Sequence, residues 1–297
     1  MTFSIARSVD DALAALAAGA RPIAGGTDLV VGSRQEKIAF PQSLVAIDRV
    51  AALAHIEVGP DTTRIGSCVT HATLMTRNIV HDHFTALADA AALVGSPATR
   101  NIGTIGGNVM NGSPAMDTGA PLVVLGAKAE LTTTAGSRTV PLDELWVSPG
   151  KTSAAANELC TALIVPNRPA SSGSSYVRLQ YRRAMEIAVV GAAAAVSLEG
   201  DEVSSIRVAL TAVAPTIIEV TGLAELAGQH SDDLLDAVQA AASEQAIPIS
   251  DLRASDRYRR HTIGVMARRS TNAAIRRARG EVIDVPVNRA LGIGAAS

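Results

Sequence analysis

The chain has 297 residues and a formal net charge of −2, with 26 lysines and arginines against 28 aspartates and glutamates. This balance argues against a general affinity for nucleic acid or for anionic membranes. The length favours about two domains. An aromatic share of only 2% requires a core built mainly from Val, Leu, Ile and Ala.

Cysteine usage limits the redox chemistry that the chain can carry. Cys68 and Cys160 are far apart and have no CxxC neighbour, so we expect two reduced core thiols. Two cysteines cannot supply the four thiolates of an ordinary iron–sulfur cluster, so any such cluster is expected on another subunit. No stretch approaches the roughly 20 apolar residues of a membrane span, and no export signal is recognisable. The protein is therefore expected in the cytoplasm.

The first half of the chain predicts short helices and strands. Ser8 is expected to cap a helix that ends at Gly19, and Thr70 to cap another through Leu74 and Met75. A helix is predicted over about 84–93, ending at Gly95-Ser96-Pro97. Another is predicted over 116–125, with Pro114 well placed as its first residue. Strands are predicted at 44–47, 63–66, 129–133 and 158–165.

The second half predicts a separate domain. The polar segment 167–174 is expected to be a linker, with the second domain beginning near Ser175. Two β-type segments, 187–198 and 203–213, are joined by a hairpin signal, and helices are predicted over 234–246 and 255–279. The tail beyond Val287 is expected to be poorly ordered. This mixture indicates an α+β fold rather than a regular βαβ array.

Two glycine clusters are the most informative motifs. Because glycine lacks a Cβ, a glycine turn can take positive φ and present successive backbone N–H groups to an anion. For either cluster alone an ordinary tight turn is the default interpretation, but together they favour the pyrophosphate of a dinucleotide. The clusters are Ala24-Gly25-Gly26-Thr27-Asp28 and Asn101-Ile102-Gly103-Thr104-Ile105-Gly106-Gly107-Asn108.

Spacing excludes two familiar nucleotide motifs. The second cluster has the pattern GxxGG rather than GxGxxG, and no acidic residue follows at the distance a Rossmann domain requires. Gly150-Lys151-Thr152 resembles the end of a P-loop, but Leu145 occupies the place of its first glycine. His81-Asp82-His83 lacks a third metal ligand at suitable spacing, so a surface role is favoured.

Polar residues follow the second cluster. Asn108, Asn111, Ser113 and Asp117 supply donors and acceptors where a helix is expected to begin. Asp117 is a candidate acceptor for ribose hydroxyls, although stabilising the helix N-terminus is an equally good explanation.

These motifs resemble the FAD-binding medium subunit of the molybdenum hydroxylases, a family that includes xanthine dehydrogenase and carbon monoxide dehydrogenase. The likeness rests on the two glycine clusters and on the Asn111–Asp117 segment that follows the second. It extends to the segment 182–188 and to the segments 251–255 and 258–260, so it covers nearly the whole chain.

The resemblance implies a PCMH-type FAD-binding domain over 1–168, with subdomains of about 1–55 and 56–168. A C-terminal α+β domain with an antiparallel sheet and helices would follow over 175–287, and then a tail over 288–297. It implies that the pyrophosphate is held by Gly25, Gly26, Thr27, Gly106 and Gly107, within motifs that also include Ala24 and Asp28. Asn108 and Asp117 would contact the ADP or ribityl part, and Thr104 and Ser113 would donate hydroxyl hydrogen bonds. Arg182 falls where the family has basic residues near the flavin, and Tyr181 is a candidate for packing on the ring or an ordinary core tyrosine.

Two departures from relatives are informative. Some related flavoproteins have a histidine, in certain oxidases covalently bonded to the flavin, where this chain has Thr27, so FAD is expected to bind non-covalently. Some reductases of the family carry an additional cysteine-rich segment for an iron–sulfur cluster, which Cys68 and Cys160 cannot reproduce.

The function implied is electron transfer. An iron–sulfur small subunit would pass electrons from a molybdenum large subunit to FAD on this chain, and FAD would reduce NAD⁺, a quinone or dioxygen. The family suggests a dimer of heterotrimers. A stand-alone FAD-dependent oxidoreductase with its own organic substrate is the alternative, and an assembly subunit that has lost FAD is a third. The seven arginines between 257 and 277 predict a basic last helix that is solvated or docks an acidic partner.

Overall fold

The N-terminal part of the computed structural model is a small parallel sheet with two helices. The whole structure describes residues 1–36, 38–182, 184–231 and 233–293. The elements of the N-terminal part are β1 (Thr2–Ile5), α1 (Val9–Ala17), β2 (Arg21–Ile23), α2 (Thr27–Arg34), β3 (Ser43–Ala46) and a 3₁₀ turn at Ala51–Leu53. The strand order is β1-β3-β2. Helix α1 is confirmed, because Ser8 and Asp11 form a reciprocal capping box at its start.

The next part combines an antiparallel sheet with a layer of short helices. Its elements are β4 (Ile56–Val58), β5 (Thr62–Gly66), α3 (His71–Thr76), α4 (Asn78–His83), α5 (Thr85–Leu93), α6 (Pro97–Ile102), α7 (Ile105–Asn111), α8 (Gly119–Val124), β6 (Lys128–Thr133), β7 (Gly136–Pro141), α9 (Leu142–Leu145), β8 (Trp146–Ser148), β9 (Lys151–Thr152) and β10 (Leu159–Pro166). The strand order is β4-β5-β10-β6-β7, so β10, the last of these strands in the sequence, lies at the centre of the sheet. The helix predicted to follow Thr70 is confirmed, with Thr70 as its cap.

The second glycine cluster is helical rather than a loop, which corrects the prediction. Helix α6 begins at Pro97, where Ser96 caps it, and α7 follows after only Gly103 and Thr104. Gly103, Gly106 and Gly107 do not have positive φ, whereas Gly26 has a φ of 68° and precedes α2. Positive φ therefore explains Gly26 in the first cluster, whereas close approach to neighbouring atoms explains Gly103 and Gly106 in the second.

The segment 113–118 is also different from the prediction. Pro114 does not begin the helix predicted over 116–125, because α8 begins only at Gly119 and ends at Val124. The reason is that carbonyl groups of this segment are used elsewhere: Pro114 O accepts from the N–H of Ala212, and Met116 O accepts from the hydroxyl of Thr211. A carbonyl bound in this way is less available to continue a helix.

The C-terminal part is an antiparallel sheet covered by helices, as the fold class predicted. Its elements are β11 (Ser172–Leu179), β12 (Val190–Glu199), β13 (Glu202–Thr211), β14 (Ile218–Glu219), a 3₁₀ turn at Leu223–Leu226, α10 (Leu235–Gln245), α11 (Asp256–Ala278) and α12 (Val287–Ala290). The hairpin predicted at 199–202 is confirmed by the pairing of Glu199 with Glu202. One face of the sheet packs on α10 and α11. The other face, with Tyr176, Ala193 and Ala195, packs into the core of the preceding part.

Two boundary predictions need correction. The linker is shorter than 167–174, because β11 begins at Ser172 and buries Gly173 against the backbone of α11, where a Cβ would overlap Ala274 O. Strands rich in alanine and serine resemble linkers in composition, so the sequence does not show where such strands begin and end. The tail is also more ordered than predicted over 288–293, since α12 forms and Asn288 is buried. Residues 294–297 lie outside the described residues.

The basic last helix is partly internal. Arg259 is buried and pairs with Asp251, with 2.8 Å between Nη2 and Oδ1. Arg277 pairs with the buried Asp89, with 2.6 Å between Nη1 and Oδ2. Arg268 pairs at the surface with Asp236, so the seven arginines do not form one docking face.

Candidate functional site

The two glycine clusters meet, although about 80 residues separate them in the sequence. A Cβ on Gly25 would overlap the carbonyl oxygen of Ile102, and a Cβ on Gly103 would lie 3.7 Å from Oγ1 of Thr27. Gly25 is therefore required for backbone to approach backbone. We call this meeting point of the two clusters, at the start of α2 and just before α7, the cleft, and the sequence motifs predict a dinucleotide here.

Helix α2 begins at this cleft without a side-chain cap. Gly26 holds the N-cap position in the left-handed region, and no side chain among the described residues caps the first turn. The first backbone N–H groups of a helix have no intrahelical acceptor, so an uncapped turn is suited to receive the oxygens of an anion. Thr27 and Asp28 are the first two residues of the helix, and Asp28 is exposed.

Helix α7, in contrast, satisfies its first N–H groups internally. The N–H of Gly106 donates to Ser67 O at 2.8 Å, and that of Gly107 donates to Oγ1 of its cap, Thr104, at 3.1 Å. Gly106 and Gly107 therefore do not present free N–H groups, which corrects the sequence prediction. A contact of Gly106 and Gly107 with a cofactor stays a prediction, and it rests on the space that these residues leave rather than on their N–H groups.

The two glycines of α7 differ in the space around them. Gly106 is buried, and a Cβ there would overlap Ser67. Gly107 is exposed, and a Cβ there would meet only Oγ1 of Thr104, at 3.0 Å. Gly106 is needed for packing, whereas Gly107 leaves the surface of α7 free of a side chain beside the cleft.

Polar side chains continue from α7 into the following turn. Asn108 lies on α7 and is half-buried, and its Oδ1 accepts from the hydroxyl of Thr118 at 2.5 Å. Asn111, the last residue of α7, is exposed. Oγ of Ser113 accepts from the N–H of Ala115 at 3.3 Å, so this hydroxyl shapes the turn while its proton stays available. The cofactor contacts of Asn108 and Ser113 stay predictions.

Asp117 lies in the turn before α8 and not in the first turn of a helix, which removes the helix-dipole explanation. Its Oδ1 accepts from the hydroxyl of Tyr176 at 2.9 Å, and its Oδ2 accepts from Nη1 of Arg178 at 2.6 Å. Burial raises the pKa of Tyr176 well above its ordinary value, and the Asp117 carboxylate adds to this, so Tyr176 remains a donor. Burial opposes the charge of Arg178, yet Asp117 holds the pKa of Arg178 above its ordinary value. The ribose contact of Asp117 stays a prediction, since a carboxylate has further acceptor positions.

His71 lies behind the cleft, and sequence reasoning did not single it out. The ring is 2% exposed, its Cδ2 would be 3.3 Å from a Cβ on Gly103, and its Nδ1 has no partner among the described residues. Burial, with repulsion from Arg100, lowers the pKa of His71 to about 4. The ring is therefore neutral at physiological pH.

The loop after β11 brings the C-terminal domain to the edge of the site. The N–H of Met185 donates to Gly95 O at 3.1 Å. Arg182 is exposed and pairs with Glu186 at 3.2 Å, and Arg183 lies outside the described residues. Tyr181 is exposed, with its hydroxyl donating to Arg253 O, so it is not a core tyrosine.

Other chemistry is limited in the part of the chain that the structure describes. It holds no group of three or more His, Cys, Asp or Glu placed to bind a metal ion, and no helix long and apolar enough to cross a membrane. Cys68 and Cys160 are free and buried, and burial raises the pKa of these thiols to about 11 and about 12. Such thiols are unreactive at neutral pH.

The residues that sequence reasoning missed are mostly partners of predicted ones. Tyr176, Arg178 and Thr118 hold Asp117 and Asn108 in place. The only signal for Thr118 was its position beside Asp117. Tyr176 and Arg178 lie about 60 residues further along the chain, and no local pattern connects them to Asp117.

Comparison with known proteins gives a consistent result. Residues 1–168 match the family model described as the FAD binding domain in molybdopterin dehydrogenase, and residues 175–274 match the CO dehydrogenase flavoprotein C-terminal domain. The xanthine dehydrogenase FAD-binding subunit of Escherichia coli O157:H7 is 31% identical, with 89% of this chain and 91% of that protein covered. The carbon monoxide dehydrogenase medium chain of Hydrogenophaga pseudoflava is 34% identical, with 90% and 94% covered.

A solved structure agrees with the fold. A carbon monoxide dehydrogenase from Hydrogenophaga pseudoflava, lacking the Mo-pyranopterin moiety of its molybdenum cofactor, matches with a TM-score of 0.87 and 32% identity over 92% of this chain and 96% of that chain. The uncapped turn at Gly26 and the bare surface at Gly107 fit the pyrophosphate of FAD. The chain belongs to the family of FAD-binding medium subunits of molybdenum hydroxylases, the oxidoreductases that include carbon monoxide and xanthine dehydrogenase.

Proposed function

We propose that this chain is the electron-transfer subunit of a heterotrimeric molybdenum hydroxylase and that it binds FAD non-covalently between α2 and α7. The observation that carries the proposal is the uncapped first turn of α2, which the contact of Gly25 with Ile102 brings beside the second glycine cluster. FAD, when bound, supplies a ring that accepts electrons singly or in pairs.

The residues of the chain have distinct roles in this proposal. The backbone of Gly26, Thr27 and Asp28 receives the pyrophosphate, and Gly107 leaves room for it. Asn108, Ser113 and Asp117 contact the more distant parts of the dinucleotide. Thr27 offers no imidazole for a covalent bond to the flavin, which supports non-covalent binding.

The partner subunits are inferred from the redox groups that this chain cannot bind itself and from its relatives. The two cysteines are buried thiols and cannot form an iron–sulfur cluster, so in this proposal the cluster that delivers electrons belongs to an iron–sulfur small subunit. The solved carbon monoxide dehydrogenase lacks the Mo-pyranopterin part of its molybdenum cofactor, and in this proposal a large subunit holds the complete cofactor. We expect NAD⁺, a quinone or dioxygen to be the acceptor, a dimer of heterotrimers to be the assembly, and the cytoplasm to be the location.

Purification of the chain from its native host under non-denaturing conditions tests this proposal. The co-purifying polypeptides would be identified, FAD would be released by mild acid and quantified, and iron and molybdenum would be measured on the same sample. We expect about one FAD per chain, released without proteolysis, together with an iron–sulfur and a molybdenum polypeptide.

Two other results would contradict the proposal. FAD on a solitary chain that oxidises an organic substrate would establish the stand-alone oxidoreductase instead. A purified complex without flavin would favour a subunit that serves assembly only.

A further inference from the structure

The turn 113–118 is held rigidly by the C-terminal domain. Pro114 O accepts from the N–H of Ala212 at 2.8 Å, and Met116 O accepts from Oγ1 of Thr211 at 3.0 Å. Asp117 is buried and receives two donors from β11. The residue that follows, Thr118, therefore has a fixed backbone position.

Thr118 does not use its hydroxyl in the usual way for its place in the fold. It occupies the N-cap position of α8, where a threonine side chain commonly accepts from a backbone N–H of the first turn. Here the cap makes no such hydrogen bond, and its backbone is in the right-handed helical region. The side chain is completely buried, and the hydroxyl instead donates across to Oδ1 of Asn108 at 2.5 Å.

This hydrogen bond fixes the orientation of the Asn108 amide. With Oδ1 facing Thr118, the Nδ2 group must point the other way, because the two atoms lie on opposite sides of a planar amide. Asn108 is half-buried, and Nδ2 has no acceptor among residues 1–36, 38–182, 184–231 and 233–293. Asn108 follows Gly107 on α7, within the second glycine cluster that meets the start of α2.

We propose that Thr118 is a positioning residue for the cofactor: it holds the Asn108 amide so that Nδ2 donates a hydrogen bond to an oxygen of the bound dinucleotide. This inference rests on the proposed function, since it needs FAD in the cleft. The C-terminal domain takes part through the turn it anchors, and Thr118 itself does not have to touch the cofactor.

The test compares isosteric and hydroxyl-retaining variants of the full-length chain. Thr118→Val keeps the shape of the side chain and removes the donor, whereas Thr118→Ser keeps the donor. The Kd for FAD would be measured by fluorescence titration of flavin-stripped protein, and the Tm of each stripped variant would report its folding. We expect Thr118→Val to weaken FAD binding roughly fivefold, as loss of one oriented hydrogen bond does, and Thr118→Ser to restore it.

A double-mutant cycle separates positioning from a general structural effect. If Thr118 acts through Asn108, then Thr118→Val should change the Kd by less than about twofold in a chain that already carries Asn108→Ala. An equal loss in both backgrounds, or an unchanged Kd for Thr118→Val in the wild-type background, would overturn the inference alone. A wild-type chain that binds no FAD would overturn the proposed function and this inference with it.

Discussion

At the scale of single residues, His71 is a buried residue of the site with a ring nitrogen that lacks a hydrogen-bond partner within the described part of the chain. Its Nδ1 has no partner among the residues described, and its ring packs against the backbone of Gly103. Because a charged imidazolium in this place would be neither solvated nor paired, the folded protein excludes the proton. Stability is therefore linked to pH through this one residue.

We expect the free energy of unfolding to fall by about 2 kcal/mol because of His71 between pH 7.5 and pH 5. The folded pKa is about 4 and the ordinary value is 6.5, so in this window the unfolded chain binds a proton that the folded chain does not. This loss of stability is absent at pH values well above the unfolded-state pKa of His71 and is complete below its folded-state pKa. Urea unfolding of wild-type and His71→Gln apoprotein at both pH values would measure it.

The comparison requires a control for loss of a histidine as such. His55 is exposed, and His55→Gln serves this purpose. The prediction fails if His71→Gln and wild type lose the same stability on acidification.

At the scale of elements, α7 has two adjacent glycines with different surroundings: Gly106 is packed, and Gly107 is proposed to leave room for the cofactor. Its N-terminus is capped by Thr104 and pressed against Ser67, while its outer surface is open at Gly107. The sequence motif does not distinguish the two positions. Only the direction in which each Cβ would point separates them.

We expect Gly107→Val to abolish FAD binding while the apoprotein remains folded. The branched side chain would occupy the cleft, and the worst internal consequence is a disturbed Thr104 cap, which costs about 1 kcal/mol. Gly106→Ala is the matched contrast: its Cβ would overlap Ser67, and overpacking of this kind costs about 1–3 kcal/mol. Thermal unfolding of the apoproteins and FAD titration would show opposite patterns for the two variants. Normal flavin occupancy in Gly107→Val would refute the assignment of α7 to the cofactor site.

Local signals explain which elements could be predicted from the sequence. The caps at Ser8 and Thr70 and the hairpin at 199–202 were predictable because their interactions join residues within a few positions. The turn 113–118 was not, since its carbonyls are bound by Thr211 and Ala212. The arginines of α11 suggested a solvated face for the same reason, because their carboxylate partners Asp251 and Asp89 lie outside the helix.

In the whole molecule, the two domains share one apolar core. Side chains of α5 and α8 form a single buried cluster with Tyr176, Ala193 and Ala195 on the C-terminal sheet. The alanines of β12 allow the helices to approach the sheet closely. The candidate site residue Asp117 is held by Tyr176 and Arg178 at this junction, so both domains shape the surroundings of the proposed cofactor site.

Asp89 is the polar centre of the same junction. It is fully buried on α5 and accepts from Nη1 of Arg277 at 2.6 Å, from the N–H of Tyr176 at 3.1 Å and from that of Val287 at 2.9 Å. All of these donors belong to the C-terminal domain. An amide in this position would remove the charge of the pair and turn a donor group toward other donors.

We therefore expect Asp89→Asn to lower the free energy of unfolding by about 3–5 kcal/mol, the cost of breaking a buried ion pair. Asp236→Asn is the control, since it removes an exposed partner of Arg268 on the same helix α11, and it should cost less than about 1 kcal/mol. Trp146, the only tryptophan, lies in the shared core and reports its unfolding by fluorescence, while circular dichroism reports both domains. Because the core is shared, both signals should shift to lower urea together. A shift no larger than that of the control would contradict the role of Asp89, and a loss of circular dichroism well before the fluorescence change would contradict the shared core.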